Sequence, residues 1–356
     1  MKTVAPGGVV GILGGGQLGR MLSLAAARMG LDVVIYAPEG DSCAARVSAE
    51  AIIAAYEDKE ALKAFAKKCD VITFEFENIP HDTLALLEKE GAPVFPKANA
   101  LASSQDRLVE KQFLESIGVA PAPFKAIDKA EDIKPALESL GGKGILKTRR
   151  DGYDGKGQIR LSLESDFQTA WTDINGVPAV LEKFVPFERE ISVVTVRSQS
   201  GEVAFYDPPE NDHSGGILRQ SKVPAQISDE THNQALAYAG KLAEALDYVG
   251  VLALELFVLE DGTLLANEFA PRVHNSGHWT EDVCLVGQFE QHMRAVCGWP
   301  LGPTERLCDV KMDNLLGDSE IATWNALCEA GAAPRIYGKR GGGEGRKLGH
   351  SSKVVR

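Results

Sequence analysis

Residues 251–280 read VLALELFVLEDGTLLANEFAPRVHNSGHWT, two apolar runs followed by a dense group of charged, imidazole and amide side chains. An Asp261-Gly262 pair separates the two runs, and such a pair is typical of a tight β-hairpin. If these two residues form the turn, counting outward along the strands places Glu255 directly opposite Glu268. The stretch therefore predicts two antiparallel strands that present two carboxylates on one face.

Two opposed carboxylates need a neutralising partner, because like charges directly opposite each other destabilise a strand pair. The alternative is a protonated or solvated pair at a sheet edge, which is ordinary for surface carboxylates. The strands around Glu255 and Glu268 are too apolar for an easily solvated face, so the sequence favours a bound cation. Oxygen ligands of this kind, completed by water or phosphate oxygens, suit Mg²⁺ better than zinc.

The size and composition of the chain are those of a folded globular protein. Its 356 residues suffice for two or three domains, and 44% apolar and 25% charged residues are ordinary values. No apolar run is long enough to span a bilayer and no secretory signal begins the chain, so we expect a cytoplasmic protein without a membrane segment. The net charge of -12 argues against nucleic-acid binding, and six scattered cysteines argue against a zinc knuckle or a disulfide framework.

The first hundred residues alternate strand and helix patterns. Residues 9–20 predict a buried strand, a glycine turn and the start of a helix, and further strands are predicted at 31–36 and 71–76. Alternation of this kind indicates a mostly parallel sheet covered by helices. A second unit follows, in which residues 104–117 predict a helix that begins at a Ser and stops at Gly118.

The glycine turn has two possible interpretations. Gly14, Gly16 and Gly19 fit the dinucleotide fingerprint, with Glu39 at a plausible distance for a ribose contact. However, any tight strand-to-helix turn needs glycines, and an exposed helix N-terminus can bind any anion. Since nothing later in the sequence supplies the rest of a dinucleotide fold, we favour the second interpretation.

Two further segments suggest phosphate binding. Residues 148–157 form a glycine-rich loop between two short strands, and its backbone N–H groups and small side chains suit a flap over phosphates. Lys147, just before the loop, could place a charge on a phosphate. The alternative is an ordinary surface hairpin with Lys147 at a solvated strand end.

Two polar clusters lie in the last third of the chain. Arg272, His274, Asn275 and His278 combine a cation, two possible proton-transfer groups and an amide directly behind the carboxylate pair, which makes them a site candidate. The basic residues near the C-terminus are a solvated face or, in an otherwise acidic protein, a site for a substrate phosphate. They are Lys339, Arg346 and Lys347.

Taken together, these segments resemble the ATP-grasp superfamily, and within it the bicarbonate-using carboxylases of purine biosynthesis. The glycine motifs are generic, whereas the run after the hairpin and the Arg-Lys-x-Gly-His pattern near the C-terminus are specific. The segments that carry the resemblance are 14–20, 74–78, 105–107, 147–158, 213–219, 267–280 and 346–350.

The resemblance implies an α/β and α+β protein with an ATP-grasp fold. An N-terminal Rossmann-like domain would span residues 1–100, the ATP-grasp domain 101–298 with a lid at about 120–185, and a small C-terminal domain 299–356. It also implies a homodimer. The reaction would be the ATP-dependent carboxylation of 5-aminoimidazole ribonucleotide with bicarbonate through carboxyphosphate, with Mg²⁺ and ATP as cofactors.

The resemblance also assigns roles to individual residues. The metal ligands would be Glu255 and Glu268, and the catalytic residues would be Arg272, His274, Lys147 and Asp154. The ATP-binding residues would be Arg107, Lys147, Gly152, Tyr153, Asp154, Gly155, Lys156, Gly157, Gln158, Glu182, Lys183, Phe184, Val185, Glu190, His213, Asn267 and Glu268. The ribonucleotide or bicarbonate would contact Gln17, Leu18, Glu75, Tyr153, Asp154, Arg272, His274, Asn275, Ser276, Lys339, Arg346 and Lys347.

Other functions are open at this point. The nearest alternative enzyme is a formate-using ATP-grasp ligase acting on glycinamide ribonucleotide, which shares the order of carboxylate, arginine and histidine. A catalytically silent nucleotide-binding regulator is disfavoured by the intact pair Glu255 and Glu268. A dinucleotide-dependent dehydrogenase is disfavoured because the sequence carries no convincing second motif for it.

Overall fold

A computed structural model of the protein describes residues 3–150, 152, 157–343 and 345–355. Its first unit contains strands β1 (Val9–Leu13), β2 (Asp32–Ala37), β3 (Glu50–Ile53) and β4 (Val71–Phe74), and helices α1 (Gln17–Arg28), α2 (Lys59–Ala66) and α3 (His81–Lys89). The strands pair in parallel in the order β3-β2-β1-β4. The predicted alternation and parallel sheet are thus confirmed.

The second unit contains a small antiparallel sheet in the order β5-β8-β6-β7. Its elements are α4 (Ala98–Ser104), α5 (Arg107–Ser116), β5 (Phe124–Ile127), α6 (Ala130–Ser139), β6 (Lys143–Thr148), β7 (Gln158–Ser162), α7 (Phe167–Asp173) and β8 (Ala179–Lys183). The helix predicted at 104–117 is present as α5, but it begins three residues later, at Arg107, because Ser104 ends α4. Asp106, not Ser104, caps α5 by accepting from two backbone N–H groups.

The remaining strands form one nine-stranded sheet in the order β14-β13-β9-β11-β12-β15-β17-β16, with β10 paired to β9. Its elements are β9 (Arg189–Arg197), β10 (Val203–Phe205), β11 (Glu210–Ser214), β12 (Ile217–Val223), α8 (Asp229–Ala245), β13 (Gly250–Val258), β14 (Leu264–Ala270), α9 (Thr280–Val283), α10 (Gln288–Val296), β15 (Val310–Leu316), α11 (Gly317–Ile321), α12 (Trp324–Glu329), β16 (Ala333–Ile336) and β17 (Lys347–Val354). The C-terminal strands therefore extend the sheet that contains the hairpin, and the domain boundaries at 100 and 298 stay predictions.

The turn of the β13-β14 hairpin differs from the prediction. Leu259 N–H donates to Thr263 O at 2.9 Å, and Gly262 N–H donates to Leu259 O at 2.9 Å, so the loop contains three residues rather than two. Gly262 occupies the third loop position with φ +82°, a conformation that glycine adopts without strain. This loop shifts the strand register by one residue.

A bulge at Asn267 reverses that shift. Leu256 pairs with Ala266, whereas Glu255 pairs with Glu268, so Asn267 is the extra residue on β14. The predicted pairing of the two carboxylates is confirmed, although its assumed turn was wrong. The longer loop shifts the register by one residue and the bulge shifts it back, so both carboxylates lie on the same face.

A buried histidine joins the first unit to the large sheet. His292 on α10 is fully buried, and its Nδ1 accepts from Val251 N–H at 3.0 Å. The other ring nitrogen therefore carries the proton and donates to Thr73 Oγ1 of β4, 2.8 Å away. Burial lowers the pKa of His292 to about 3, so the ring is neutral at physiological pH.

We expect this histidine to make the fold sensitive to acid. The folded pKa of His292 is about 3, whereas an unfolded histidine titrates near 6.5, so its contribution is complete above pH ~6.5 and is lost as the pH falls toward 3. Each pH unit in that window removes about 1.4 kcal/mol. Urea unfolding at several pH values measures the free energy of unfolding as a function of pH. Between pH ~6.5 and about 3 this free energy should fall less steeply with pH for His292→Gln than for the unaltered protein. An equally steep fall in both proteins would contradict the assignment.

No helix within the described ranges combines the length and the apolar character needed to cross a bilayer.

The core of the large sheet lies against α8 and α10, whose buried faces pack on β9 and β13. Helices α4 and α5 pack on β14, and α5 also contacts β8, which places the hairpin beside the small sheet.

Candidate functional site

The glycine turn surrounds a carboxylate rather than an open anion site. Glu75 is buried and accepts from Gly16 N–H at 2.7 Å and from Gly19 N–H at 3.2 Å, at the N-terminus of α1. A Cβ on Gly14 would lie 2.6 Å from Glu75 Cγ, and one on Gly16 would lie 2.7 Å from Glu75 Oε1. These glycines therefore accommodate Glu75, which occupies the place that a dinucleotide pyrophosphate would need. Burial raises the pKa of Glu75, and the two amides offset only part of this shift.

Glu182 lies between two buried lysines. Its Oε2 accepts from Lys147 Nζ at 2.9 Å, and its Oε1 forms an ion-pair contact with Lys111 Nζ at 3.1 Å. Burial alone would raise the pKa of Glu182, but the charges of Lys111 and Lys147 lower it to about 2. Lys111 also donates to Asn267 O at 3.1 Å. The cluster joins α5, β6, β8 and the bulge of β14.

The two hairpin carboxylates have different partners. Arg107 Nη1 donates to Glu268 Oε2 at 2.7 Å, and Arg107 Nη2 donates to Gly152 O at 3.1 Å. Burial would raise the pKa of Glu268, but Arg107 holds it below the usual range. Glu255 Oε1 lies 3.1 Å from His274 Nε2. Burial would raise the pKa of Glu255, but the hydrogen bond and charge of His274 contribute to lowering it to about 2.

A buried chain of polar groups orients His274. Its Nδ1 accepts from Ser276 N–H at 3.4 Å and lies 2.8 Å from Ser276 Oγ. Ser276 Oγ contacts Ser192 Oγ at 2.6 Å, and Asn211 Nδ2 donates to Ser192 Oγ at 3.0 Å. Because Nδ1 already accepts from the Ser276 N–H, it carries no proton, so the Ser276 hydroxyl donates to Nδ1 and the Ser192 hydroxyl donates to Ser276. Neutral His274 therefore carries its proton on Nε2, toward Glu255.

The remaining members of the polar run are also held by neighbours. Arg272 forms a two-pronged ion pair with Glu77. The amides of Asn275 and Asn314 exchange hydrogen bonds of 2.9 and 2.8 Å. His278 is fully buried, and burial lowers its pKa well below the usual value, which indicates a structural role.

The predicted nucleotide residues are only partly gathered together. His213 Nδ1 lies 2.5 Å from Glu190 Oε2. Burial would lower the pKa of His213, but its contact with Glu190 raises it. Val185 is buried after β8. Exposed positions were found for Lys183, Phe184, Gly157 and Gln158. Outside the described residues lie Tyr153, Asp154, Gly155 and Lys156.

The predicted ribonucleotide residues come from both ends of the chain. Lys339 Nζ donates to Lys347 O at 3.0 Å. Its pKa is lowered, first by burial and then by Arg346, while Glu75 acts in the opposite direction, so Lys339 lies within electrostatic reach of the glycine turn. Arg346 is exposed and donates to Arg340 O at 3.1 Å. Nearby, Gln17 is half-buried at the start of α1, whereas the side chain of Leu18 packs in the core.

Sequence reasoning overlooked several residues of the site. Lys111 lies one helical turn after Arg107, so helical spacing alone could have placed both on one face. Glu77 lies two positions after Glu75, a spacing that puts side chains on one side of an extended segment. Glu110 accepts from Phe269 N–H at 2.7 Å, and burial is the main cause that raises its pKa to about 8. No local pattern indicated this contact.

The donor set fits a cation that brings its own oxygen ligands. Within the part of the chain that the structure describes, no group of three or more His, Cys, Asp or Glu side chains forms a ready metal site. Glu255 and Glu268 are paired across the hairpin, and Oδ1 of Asn267, the bulge residue next to Glu268, is buried without a hydrogen-bond partner among the described residues. Two carboxylates and one amide oxygen suit Mg²⁺ that retains water and phosphate oxygens.

Comparisons with known proteins show the family of the chain. Residues 112–289 match the model of the ATP-grasp domain, and residues 8–105 match that of the ribonucleotide synthetase preATP-grasp domain. The N5-carboxyaminoimidazole ribonucleotide synthase of Brucella melitensis is 53% identical over 99% of this chain and 98% of its own length.

Two solved structures are similar over their whole length. The N5-carboxyaminoimidazole synthetase of Staphylococcus aureus in complex with ADP has a TM-score of 0.95 at 37% identity, covering 100% of this chain and 95% of that one. The Aspergillus clavatus enzyme in complex with ADP and 5-aminoimidazole ribonucleotide has a TM-score of 0.90 at 29% identity, covering 98% and 94%. The chain belongs to the N5-carboxyaminoimidazole ribonucleotide synthase family of ATP-grasp ligases.

Proposed function

We propose that the chain uses ATP and bicarbonate to carboxylate 5-aminoimidazole ribonucleotide in de novo purine biosynthesis. Bicarbonate attacks the terminal phosphate of ATP, which gives carboxyphosphate and ADP. The exocyclic amine of the ribonucleotide then takes the carboxyl group, which releases phosphate and forms the N5-carboxylated product. The relatives' names and complexes support this reaction, as does full-length similarity.

One observation carries the proposal. Arg107, Glu255 and Glu268 line the same cleft as Arg272 and His274. Phosphoryl transfer needs mainly positioning and charge neutralisation, whereas carboxyl transfer needs an oxyanion held beside the amine. A single cleft that contains both groups of residues suits two consecutive steps with a short-lived intermediate.

The basic residues of the proposed phosphate site form ion pairs with carboxylates. Lys147 pairs with Glu182, and Arg107 pairs with Glu268. The phosphates of ATP would take both cations. Lys111 then keeps Glu182 neutralised, because its ion pair does not depend on Lys147. Arg107 in turn would leave Glu268 available to a cation.

Glu255, Glu268 and the side-chain oxygen of Asn267 would hold Mg²⁺, which neutralises charge on the transferring phosphoryl group when bound. Within the chain, Arg272 offers N–H groups to the bicarbonate or carboxyphosphate oxygens. His274 presents a proton at Nε2 and a buried lone pair at Nδ1, so it acts as an orienting donor in this arrangement. Glu75 and Asn275 face the imidazole, and Lys339, Arg346 and Lys347 its phosphate.

An assay of ADP release tests the function. We expect ADP release coupled to product formation to require both bicarbonate and 5-aminoimidazole ribonucleotide. One molecule of carboxylated product should form for each ADP released. Release that depends instead on formate and glycinamide ribonucleotide would replace this proposal with the related formate-using ligase.

Arg346→Ala should raise the KM for the ribonucleotide at least tenfold while changing the KM for ATP less than twofold. The reason is that Arg346 is exposed and acts electrostatically on Lys339, and a lost charge-assisted phosphate contact costs about 1.5–3 kcal/mol. Steady-state kinetics with each substrate varied measures both constants. Equal effects on the two would count against phosphate recognition at Arg346.

A homodimer and a cytoplasmic location complete the proposal. Family resemblance supports the dimer, and light scattering on the purified chain tests it by mass. The location follows from the substrates and is tested by fractionation of cells.

A further inference from the structure

Glu77 lies where the first unit meets the carboxyl-transfer site. It follows β4, two residues after Glu75. Gln105 Nε2 donates to Glu77 O at 2.8 Å and to Ile79 O at 2.6 Å, so the backbone of this loop is tied to the C-terminus of α4. The side chain of Glu77 therefore projects from a held backbone.

Glu77 accepts two hydrogen bonds from the guanidinium of Arg272, one on each carboxylate oxygen. Arg272 Nη2 donates to Glu77 Oε1 at 2.6 Å, and Arg272 Nε donates to Glu77 Oε2. Arg272 Nη1 donates to Val273 O at 3.1 Å. A guanidinium has five N–H groups, so these three bonds leave one N–H on each terminal nitrogen. Two such groups match the spacing of two oxygens on one anion.

The burial of the pair makes it more than a surface contact. The side chain of Arg272 is 15% exposed, and that of Glu77 is 31% exposed. Burial would raise the pKa of Glu77, but Arg272 holds it below the usual range. An exposed Arg–carboxylate pair contributes little, whereas a partly buried two-pronged pair restricts the orientation of the guanidinium.

We propose that Glu77 is a positioning residue for carboxyl transfer, which fixes Arg272 so that its two remaining N–H groups face the carboxyl donor. The inference rests on the proposed function. Because Glu75 and Glu77 belong to one short segment, the same backbone would set the position of the imidazole and of the anion that carboxylates it. Loss of Glu77 would then separate ADP formation from product formation.

A double-mutant cycle tests this role. Glu77→Gln should lower product formation about 10–100-fold, the scale expected for a small misplacement of a reacting group, while the KM for ATP stays within twofold. ADP released per product should rise above one, because misplaced carboxyphosphate hydrolyses. In the Arg272→Lys background, Glu77→Gln should cause less than a twofold further change, since the guanidinium it positions is absent.

Matched variants keep the outcome unambiguous. Glu50→Gln removes the carboxylate of another ion pair in the same unit, with Lys68 at 2.6 Å, and should leave the coupling ratio unchanged. Glu77→Asp should restore part of the coupling. Multiplicative losses in the double variant, or a coupling ratio of one in Glu77→Gln, would overturn the proposal.

The proposed function can fail separately from this inference. If the unaltered enzyme did not carboxylate the ribonucleotide, the reaction itself would be wrong. The Arg272 Nε–H resonance would still report the ion pair, and we expect Glu77→Gln to move it and to speed its exchange with water. An unmoved resonance would refute the positioning of Arg272 by Glu77 whatever the substrate is.

Discussion

Glu268→Gln is expected to lower ADP formation by about 10³-fold, equivalent to about 4 kcal/mol of transition-state stabilisation. The substitution keeps the size of the side chain but removes one of the two paired carboxylates. A cation held mainly by Glu255 and Glu268 would lose half of the negative charge that these two carboxylates supply. Arg107 would also lose its ion-pair partner. The Mg²⁺ concentration needed for half-maximal activity should rise in parallel.

The fold should survive this change. The side chain of Glu268 is 39% exposed, so its pair with Arg107 is screened by water and contributes at most about 1 kcal/mol to stability. Glu260→Gln, at the exposed turn of the same hairpin, is the matched control and should leave turnover unaltered. Wild-type-like turnover in Glu268→Gln would remove the metal assignment.

Glu182→Gln should have the largest effect on stability. The carboxylate serves two lysines, and the side chain of Lys111 is only 1% exposed. Removing one partner of a buried ion pair typically costs about 3–5 kcal/mol, because the other charge stays buried without compensation. Urea unfolding measures this loss.

A second substitution separates charge from packing. Adding Lys111→Met to Glu182→Gln removes the uncompensated buried cation while keeping a long side chain in the cavity. We expect the double variant to regain at least half of the lost free energy of unfolding. If the losses of the two single variants simply added, the cluster would not function as one ionic unit.

The hairpin shows how sequence reasoning reached a correct pairing from an incorrect turn. Counting outward from an assumed two-residue turn placed Glu255 opposite Glu268. The loop includes Glu260 as a third residue, and the bulge at Asn267 compensates for it. Burial of one sheet face enforces such compensation, since an uncorrected slip would turn every apolar side chain outward. The bulge itself had no signature in the local pattern.

The assignment of Glu182 shows the opposite case. The resemblance placed it among the ATP-binding residues, and that role stays a proposal. Its carboxylate, however, lies between Lys111 and Lys147, which come from a helix and a strand well separated in the chain. Likewise, Ser276 was expected near substrate, but its buried side chain holds His274.

The sequence by itself determined the features that depend on neighbouring residues: the strand-turn-helix opening, the paired carboxylates of the hairpin, and the motifs of the family. Only the tertiary structure decided which basic side chain forms an ion pair with which carboxylate. Arg107 meets Glu268, Lys111 meets Glu182, and Arg272 meets Glu77 across distances in the chain that no periodicity spans. The physical reason is that strand pairing is set by local patterns of burial, whereas an ion pair depends on how separate elements pack.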